Sequence, residues 1–336
     1  MKSRTVAALA VVTMVLLLLS QGLSCINIDN DSSELSETDN LTAYAESLWY
    51  NYSESLVHDG LERTYHVHIS RSYNSSQPTP LVIVLHGGGS TGKGMIRYTG
   101  FNAIADEENF IVAYPDGVEQ RWNDGRGLDE YRTYADNVDD AGFIAAMIGD
   151  ISGRLTIDEK RIYATGISNG GIMTHRLGCE LADRIAAICP VAGNIPARMA
   201  PVWQPSRPVP VLLINGTEDP LVPWEGGQIR LGKKPQGEVL STADTITFWT
   251  SMNDSPKEPV IMQLPDMNPS DNTTIREEIY PAFGGGADVI LYAIEGGGHT
   301  WPGAYQYASL AAIGRTSGEF NASELMWEFF EKHSLE

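Results

Sequence analysis

The stretch Arg161-Ile-Tyr-Ala-Thr-Gly166-Ile167-Ser168-Asn169-Gly170-Gly171 decides how this chain is read. Arg161–Thr165 reads as a strand and Asn169–Leu181 as a helix, so the glycines fall at a turn between the two. G-x-S-x-G in that setting describes a nucleophile elbow. The glycines permit a sharp turn that lifts the Ser168 hydroxyl clear of a sheet, with a helix N-terminus behind it. Taken alone, in a chain with 33 glycines, the pattern would also suit a turn with a capping serine. What separates the two readings is the rest of the chain.

On either side, strand and helix signals alternate. Strands are expected over 63–70, 81–85, 110–114, 185–191, 209–214 and 289–294. Helices are expected over 101–108, 139–155, 243–252 and 322–332. Continuous apolar runs such as Leu81–Leu85 are the mark of strands buried on both faces. This alternation implies an α/β protein with a mainly parallel sheet covered by helices on both faces. Ligands of such sheets gather at the C-terminal ends of the strands.

The residues that carry chemistry fall at those ends, in the chain order nucleophile, acid, histidine. Asp219 lies just beyond the strand ending at Ile214, with Glu218 as its adjacent rival. It would hold an imidazole in the correct tautomer and stabilise its charged form. His299 follows Val289–Ile294 in Glu295-Gly-Gly-Gly-His299, on a loop too glycine-rich for packing alone, and would act as general base and then acid. After the first buried strand, His86-Gly87-Gly88-Gly89 offers bare backbone for an oxyanion. The N–H groups of Gly88 and Asn169 are the candidates, with Gly89 as a substitute and His86 bracing the loop. Trp122, Asn123, Trp224 and Trp301 sit near the expected loop face and are candidate substrate contacts; ordinary loop packing is the competing reading. Gly87-x4-Gly92-Lys93 nearly spells a phosphate-binding loop, but Gly94 replaces the required Ser or Thr.

Composition bounds the rest. The 336 residues hold 23 Lys+Arg against 43 Asp+Glu, a net charge of −20, which argues against nucleic acid as a partner and against strongly anionic polymers as substrates. Lys2 and Arg4 precede an apolar run over 6–19 and small residues at Gly22 and Ser24, which reads as an export signal over 1–25. Cys25 stands where a lipid-modified cysteine would stand, although the residues before it depart from that pattern; lipidation and plain cleavage both remain open. Residues 26–45 read as an acidic spacer within a stretch, Ile26–Glu62, that has nine acidic residues and no Lys or Arg. The catalytic domain is expected over 46–336. Cys179 and Cys189 could be bridged or free. The seven histidines show no metal-ligand spacing beyond His66-x-His68, which reads as alternate residues of a strand, so neither metal nor cofactor is expected. Eight N-x-S/T triplets permit glycosylation, with Asn215 doubtful because it borders the site.

The segments LHGGGS (85–90), FNAIADEENFIVAYPDG (101–117), VDDAGFI (138–144), GISNGG (166–171), INGTEDPLVP (214–223) and GGGHTWPG (296–303) resemble the exported esterases of the polyhydroxybutyrate depolymerase and feruloyl esterase group, related to carbohydrate esterase family one. The likeness runs from about Thr64 to Trp327. It implies an α/β-hydrolase fold and a serine carboxylic-ester hydrolase, with Ser168, Asp219 and His299 in the triad roles and the loop after His86 in the oxyanion role. By the same resemblance, depolymerases that attack solid polyester usually add a linker and a substrate-binding module. With this chain closing at Glu336, the expected substrates are soluble or accessible esters: feruloyl or acetyl groups on plant polysaccharide, or short hydroxyalkanoate oligomers. Two other readings stand beside it, a serine peptidase of the same superfamily and a non-catalytic surface carbohydrate-binding protein.

Overall fold

The computed structural model describes residues 51–232 and 234–336. The expected signal over 1–25, Cys25, the spacer over 26–45, and Asn30 and Asn40 lie outside them. The chain runs β1 (Asn51–His58), β2 (Leu61–Ile69), β3 (Thr79–Leu85), α1 (Gly92–Thr99), α2 (Phe101–Glu108), β4 (Ile111–Pro115), α3 (Arg132–Ala135), α4 (Asp140–Ser152), β5 (Ile157–Ile167) and α5 (Asn169–Glu180). It continues through β6 (Ala187–Val191), β7 (Val211–Gly216), β8 (Gly227–Leu231), β9 (Lys234–Val239), α6 (Thr242–Met252), β10 (Val260–Gln263), β11 (Thr274–Tyr280), β12 (Val289–Glu295), α7 (Leu310–Ile313) and α8 (Ala322–Phe330).

Ten strands form one sheet in the order β1-β2-β4-β3-β5-β6-β7-β12-β11-β10. The central run from β4 to β12 is parallel throughout. The pairs β1–β2, β2–β4, β12–β11 and β11–β10 are antiparallel. The parallel centre matches the apolar runs that mark it in the sequence. The antiparallel flanks are the addition, and β1 falls within the acidic stretch. Of its acidic residues, Glu54, Asp59 and Glu62 belong to a hairpin whose turn is Asp59-Gly60, both at positive φ (48° and 76°). That is the backbone a two-residue Asp-Gly hairpin requires.

Side chains alternate across the sheet, and each face has its own core. Leu81, Ile83 and Leu85 of β3 and Val211 and Leu213 of β7 pack with α4, α5 and α6. Val82 and Val84, and Leu212 and Ile214, pack with α1, α2 and α8 on the other face. Cys179 belongs to the first core and Cys189 to the second, so the sheet stands between them. Both are buried free thiols, and burial pushes both thiol pKa values up. Asn215 and Asn253 are buried, which removes both as glycosylation acceptors. Among the described residues no helix is long and apolar enough to cross a membrane.

His175, on α5 two turns beyond Ser168, is fully buried. The indole Nε1 of Trp249 donates to its Nδ1 at 2.9 Å, so the ring hydrogen sits on Nε2, which donates to the Gly193 carbonyl at 3.1 Å. Burial lowers its pKa to about 4. An unfolded chain takes up this proton near pH 6.5, so between pH 6.5 and 4 the unfolded state binds more protons and stability falls as pH falls. The loss attributable to His175 should reach about 3 kcal/mol at pH 4. Urea unfolding from pH 7 to 4 should show this fall, and His175→Gln should flatten it even though the variant starts less stable. Parallel pH curves for the two proteins would contradict the assignment.

Candidate active site

Ser168 follows β5 and is the N-cap residue of α5, with φ 59° and ψ −122°, a backbone conformation that a serine holds only when its surroundings impose it. Its N–H donates to the Val191 carbonyl at 2.9 Å, and its carbonyl accepts from Ile172 at 2.8 Å. The turn closes because Gly170 has no side chain: a Cβ there would lie 2.5 Å from the Leu85 oxygen and 2.6 Å from the His86 oxygen. Two strand ends and a helix start thus meet at backbone contact.

His299 follows β12, and Asp219 follows β7, the strand paired with it. Both side chains are almost fully buried, and His299 Nδ1 lies 2.7 Å from Asp219 Oδ2. The other carboxylate oxygen accepts the backbone N–H groups of Leu221 (2.7 Å) and Val222 (2.9 Å), which anchors it in a tight turn. An imidazole donating from Nδ1 to this carboxylate keeps its Nε2 lone pair for a proton. Glu218, the rival acid, is exposed and pairs with Arg315 at 3.1 Å. Tyr307 donates to the His299 carbonyl at 3.1 Å. Its phenol is pushed up to about 12, first by burial and then by the Asp219 charge, so it stays a donor.

Gly87 and Gly88 run alongside the elbow: a Cβ on Gly87 would lie 3.5 Å from that of Ser168, and one on Gly88 3.7 Å from that of Asn169. The N–H of Gly89 is used by the Gln120 carbonyl at 2.9 Å, which removes Gly89 as the substitute donor. Asn169 is the first residue of α5, so its N–H has no acceptor inside the helix. His86 is fully buried, takes the Gly117 N–H on Nε2 (2.9 Å) and bonds the Gly87 carbonyl through Nδ1 (2.8 Å). Burial lowers its pKa, so it braces the loop as a neutral ring.

Ser168, His299, Gly88 and Asn169 all line one cleft of about 480 Å³. None of the four expected substrate contacts does. Trp122 is fully buried in the core, its Nε1 donating to the His86 carbonyl at 2.9 Å. The Asn123 side chain turns inward to the Val138 carbonyl at 3.1 Å, and its N–H is held by buried Asp140 at 2.6 Å. Trp224 packs beside α6 in a separate depression. Trp301 is buried edge-on to Phe101 and donates to Ser323 at 3.1 Å. Large apolar rings next to motif residues found the cores that carry the loops, because burial there gains more than exposure. The aromatic wall is instead Tyr98, Tyr305 and Tyr307, with Tyr98 edge-on to both others. The β8–β9 hairpin supplies Ile229, Arg230, Leu231 and Gln236 to the same cleft. The tyrosines of Tyr305-Gln-Tyr307, six and eight residues past His299, were a usable sequence signal; the hairpin had none stronger than its glycines.

The side chain of Asn169 has a task apart from its N–H. Its Oδ1 accepts the Trp122 N–H (2.8 Å), and its Nδ2 donates to the Trp122 carbonyl (3.0 Å) and to buried Asp124 (2.6 Å). Asp124 also binds Arg126 and Tyr134. The loop over 117–126 is thereby tied to the elbow.

Residues 70–233 match the model of the family described as Phospholipase/Carboxylesterase. The chain is 31% identical over 284 residues to "Putative esterase NocK" of Nocardia uniformis subsp. tsuyamanensis, which covers 82% of this chain and 81% of the relative. It is 33% identical over 195 residues to feruloyl esterase B of Piromyces equi, where the match covers 56% of this chain and only 33% of the relative. Among solved structures, the acetyl xylan esterase from Aspergillus awamori superposes with a TM-score of 0.53 at 14% identity, over 83% of this chain and 99% of the other, a likeness of fold.

Replacing Asn169 by Ala would orphan the N–H and C=O of buried Trp122 and one bond to the buried Asp124 carboxylate. The expected cost is about 3 kcal/mol, read as a lower urea midpoint with an unchanged slope.

Proposed function

The chain belongs to the carboxylesterases of the α/β-hydrolase fold, and from that premise we propose that it is an exported serine esterase working through Ser168, His299 and Asp219. The observation that carries the proposal is the buried 2.7 Å contact between His299 Nδ1 and Asp219 Oδ2, on the same cleft as a serine held at φ 59°. Ser168 Oγ attacks the ester carbonyl carbon while its proton passes to His299 Nε2. The tetrahedral oxyanion is received by the N–H groups of Gly88 and Asn169. Collapse breaks the bond to the alcohol oxygen, which takes the proton from His299. Water then attacks the acyl-enzyme with the same base, releasing the acid and restoring Ser168. No cofactor or metal enters these steps.

The substrates we propose are feruloyl or acetyl esters on plant polysaccharide, or short hydroxyalkanoate esters. The named relatives support the first class, and a cleft of about 480 Å³ walled by tyrosines suits an acyl group of small-molecule size. Export rests on the N-terminal sequence pattern.

Fluorophosphonate labelling should modify Ser168 in the wild type and fail in Ser168→Ala, which should lose several orders of magnitude in kcat/KM. Methyl ferulate, acetylated xylan and hydroxybutyrate trimers assayed side by side choose the acyl group. Asp219→Asn should lower kcat strongly, whereas Glu218→Gln should stay within about threefold of wild type. Retained turnover in Ser168→Ala would remove the mechanism.

A further inference from the structure

The charges in the cleft have one sign. Besides His299, its ionisable lining includes Arg121, Arg126 and Arg230, and among the described residues no Asp or Glu lines it. This is unexpected in a protein of net charge −20. Arg126 is accounted for: it is buried, pairs with Asp124 at 2.8 Å and donates to the Gln236 carbonyl at 2.9 Å. Arg230 is exposed on β8. Arg121 is different. It is half-buried, its guanidinium carbon lies 3.8 Å from the centre of the Tyr131 ring, and a Cβ on Gly88 would touch its Nη1 at 2.9 Å. Among the described residues it has no carboxylate partner. The cation is thus clamped between an aromatic face and the loop beside Ser168, and among the described residues its N–H groups have no hydrogen-bond acceptor.

A guanidinium stacked in this way has already lost most of its rotamer freedom, and its planar fork matches a carboxylate. Within a partly desolvated cleft the local cation outweighs the net charge of the protein, because charges beyond about 8 Å are screened at physiological salt. We infer that the cleft selects esters that carry a free carboxylate besides the scissile bond, and that Arg121 binds that carboxylate. This deepens the esterase reading, on which it rests: of the substrates proposed above it favours the short hydroxyalkanoate esters, which end in a free carboxylate, over the neutral acetyl and feruloyl groups. A polyanion would still meet the acidic exterior.

The test uses two pairs of esters that differ by carboxylate against methyl. On the acyl side these are mono-4-nitrophenyl adipate and 4-nitrophenyl hexanoate; on the alcohol side, 4-(butyryloxy)butanoate and butyl butyrate, followed by pH-stat. In the wild type at physiological ionic strength, kcat/KM should favour the anionic member of at least one pair by about tenfold or more, the size expected of a charge-assisted bidentate contact. The pair that responds identifies which side of the bond carries the acid. Arg121→Gln should bring that ratio near unity, whatever happens to the absolute rates, and Arg121→Lys should keep part of it. A wild-type ratio at or below unity in both pairs overturns the inference, and that measurement needs no variant to fold. An unchanged ratio in Arg121→Gln also overturns it, as does an equal loss on both members of a pair, which would mark the guanidinium as serving the oxyanion loop. Turnover of the neutral esters without preference leaves the esterase reading intact. No turnover of any ester, together with no labelling of Ser168, overturns both.

Discussion

A serine held at φ 59° and ψ −122° is the constraint around which this molecule is arranged. Such a backbone costs of order 1–3 kcal/mol and persists only where neighbouring atoms over-determine it. Here the neighbours are main chain: the Val191 carbonyl on the Ser168 N–H, and the Leu85 and His86 oxygens against Gly170. Those contacts exist because β3, β5 and β6 are adjacent parallel strands that end together. The two apolar cores that press helices onto both faces of the sheet therefore also hold the elbow.

The same strand ends deliver the other groups. β7 and β12 pair directly, and their following loops bring Asp219 and His299 to 2.7 Å although 80 residues separate them. Asp219 is fixed by two backbone donors and the imidazole by the carboxylate, so both groups are held in place before any substrate arrives. Asn169 does comparable work for the oxyanion loop: its side chain grips the Trp122 main chain, and Trp122 in turn grips the His86 carbonyl. The loop that carries Arg121 is positioned by this chain of bonds.

Much of this was legible in the primary structure. Buried parallel strands are apolar on both faces, so Leu81–Leu85 and Val289–Ile294 announced themselves, and glycines mark where backbone must approach backbone. Chain order singled out Ser168, Asp219 and His299, and the fold sets Asp219 against His299 and puts His299 and Ser168 on one cleft. The edge strands were less visible: β1 alternates between half-buried and exposed residues within an acidic stretch, and only Asp59-Gly60 betrays its hairpin. The four expected substrate contacts lie off the cleft, Trp224 half-buried beside α6 and the other three turned into the interior. A tryptophan beside a motif is more stable under the loop than on it, and Asn123 is more stable paired than solvated.

The sequence by itself determined the parallel α/β sheet, the elbow and the chain order of Ser168, Asp219 and His299, because these depend on local spacing and on which residues tolerate a buried strand or a tight turn. Only the tertiary structure decided which glycine of the oxyanion loop keeps its N–H, which acid meets the histidine, and which side chains face the cleft. Each of those is settled by partners far away in sequence: Gln120 takes the Gly89 N–H, His299 is brought to Asp219 while Arg315 pairs with Glu218, and the folded loops bury Trp122 and Trp301 but leave the tyrosines and Arg121 on the cleft wall.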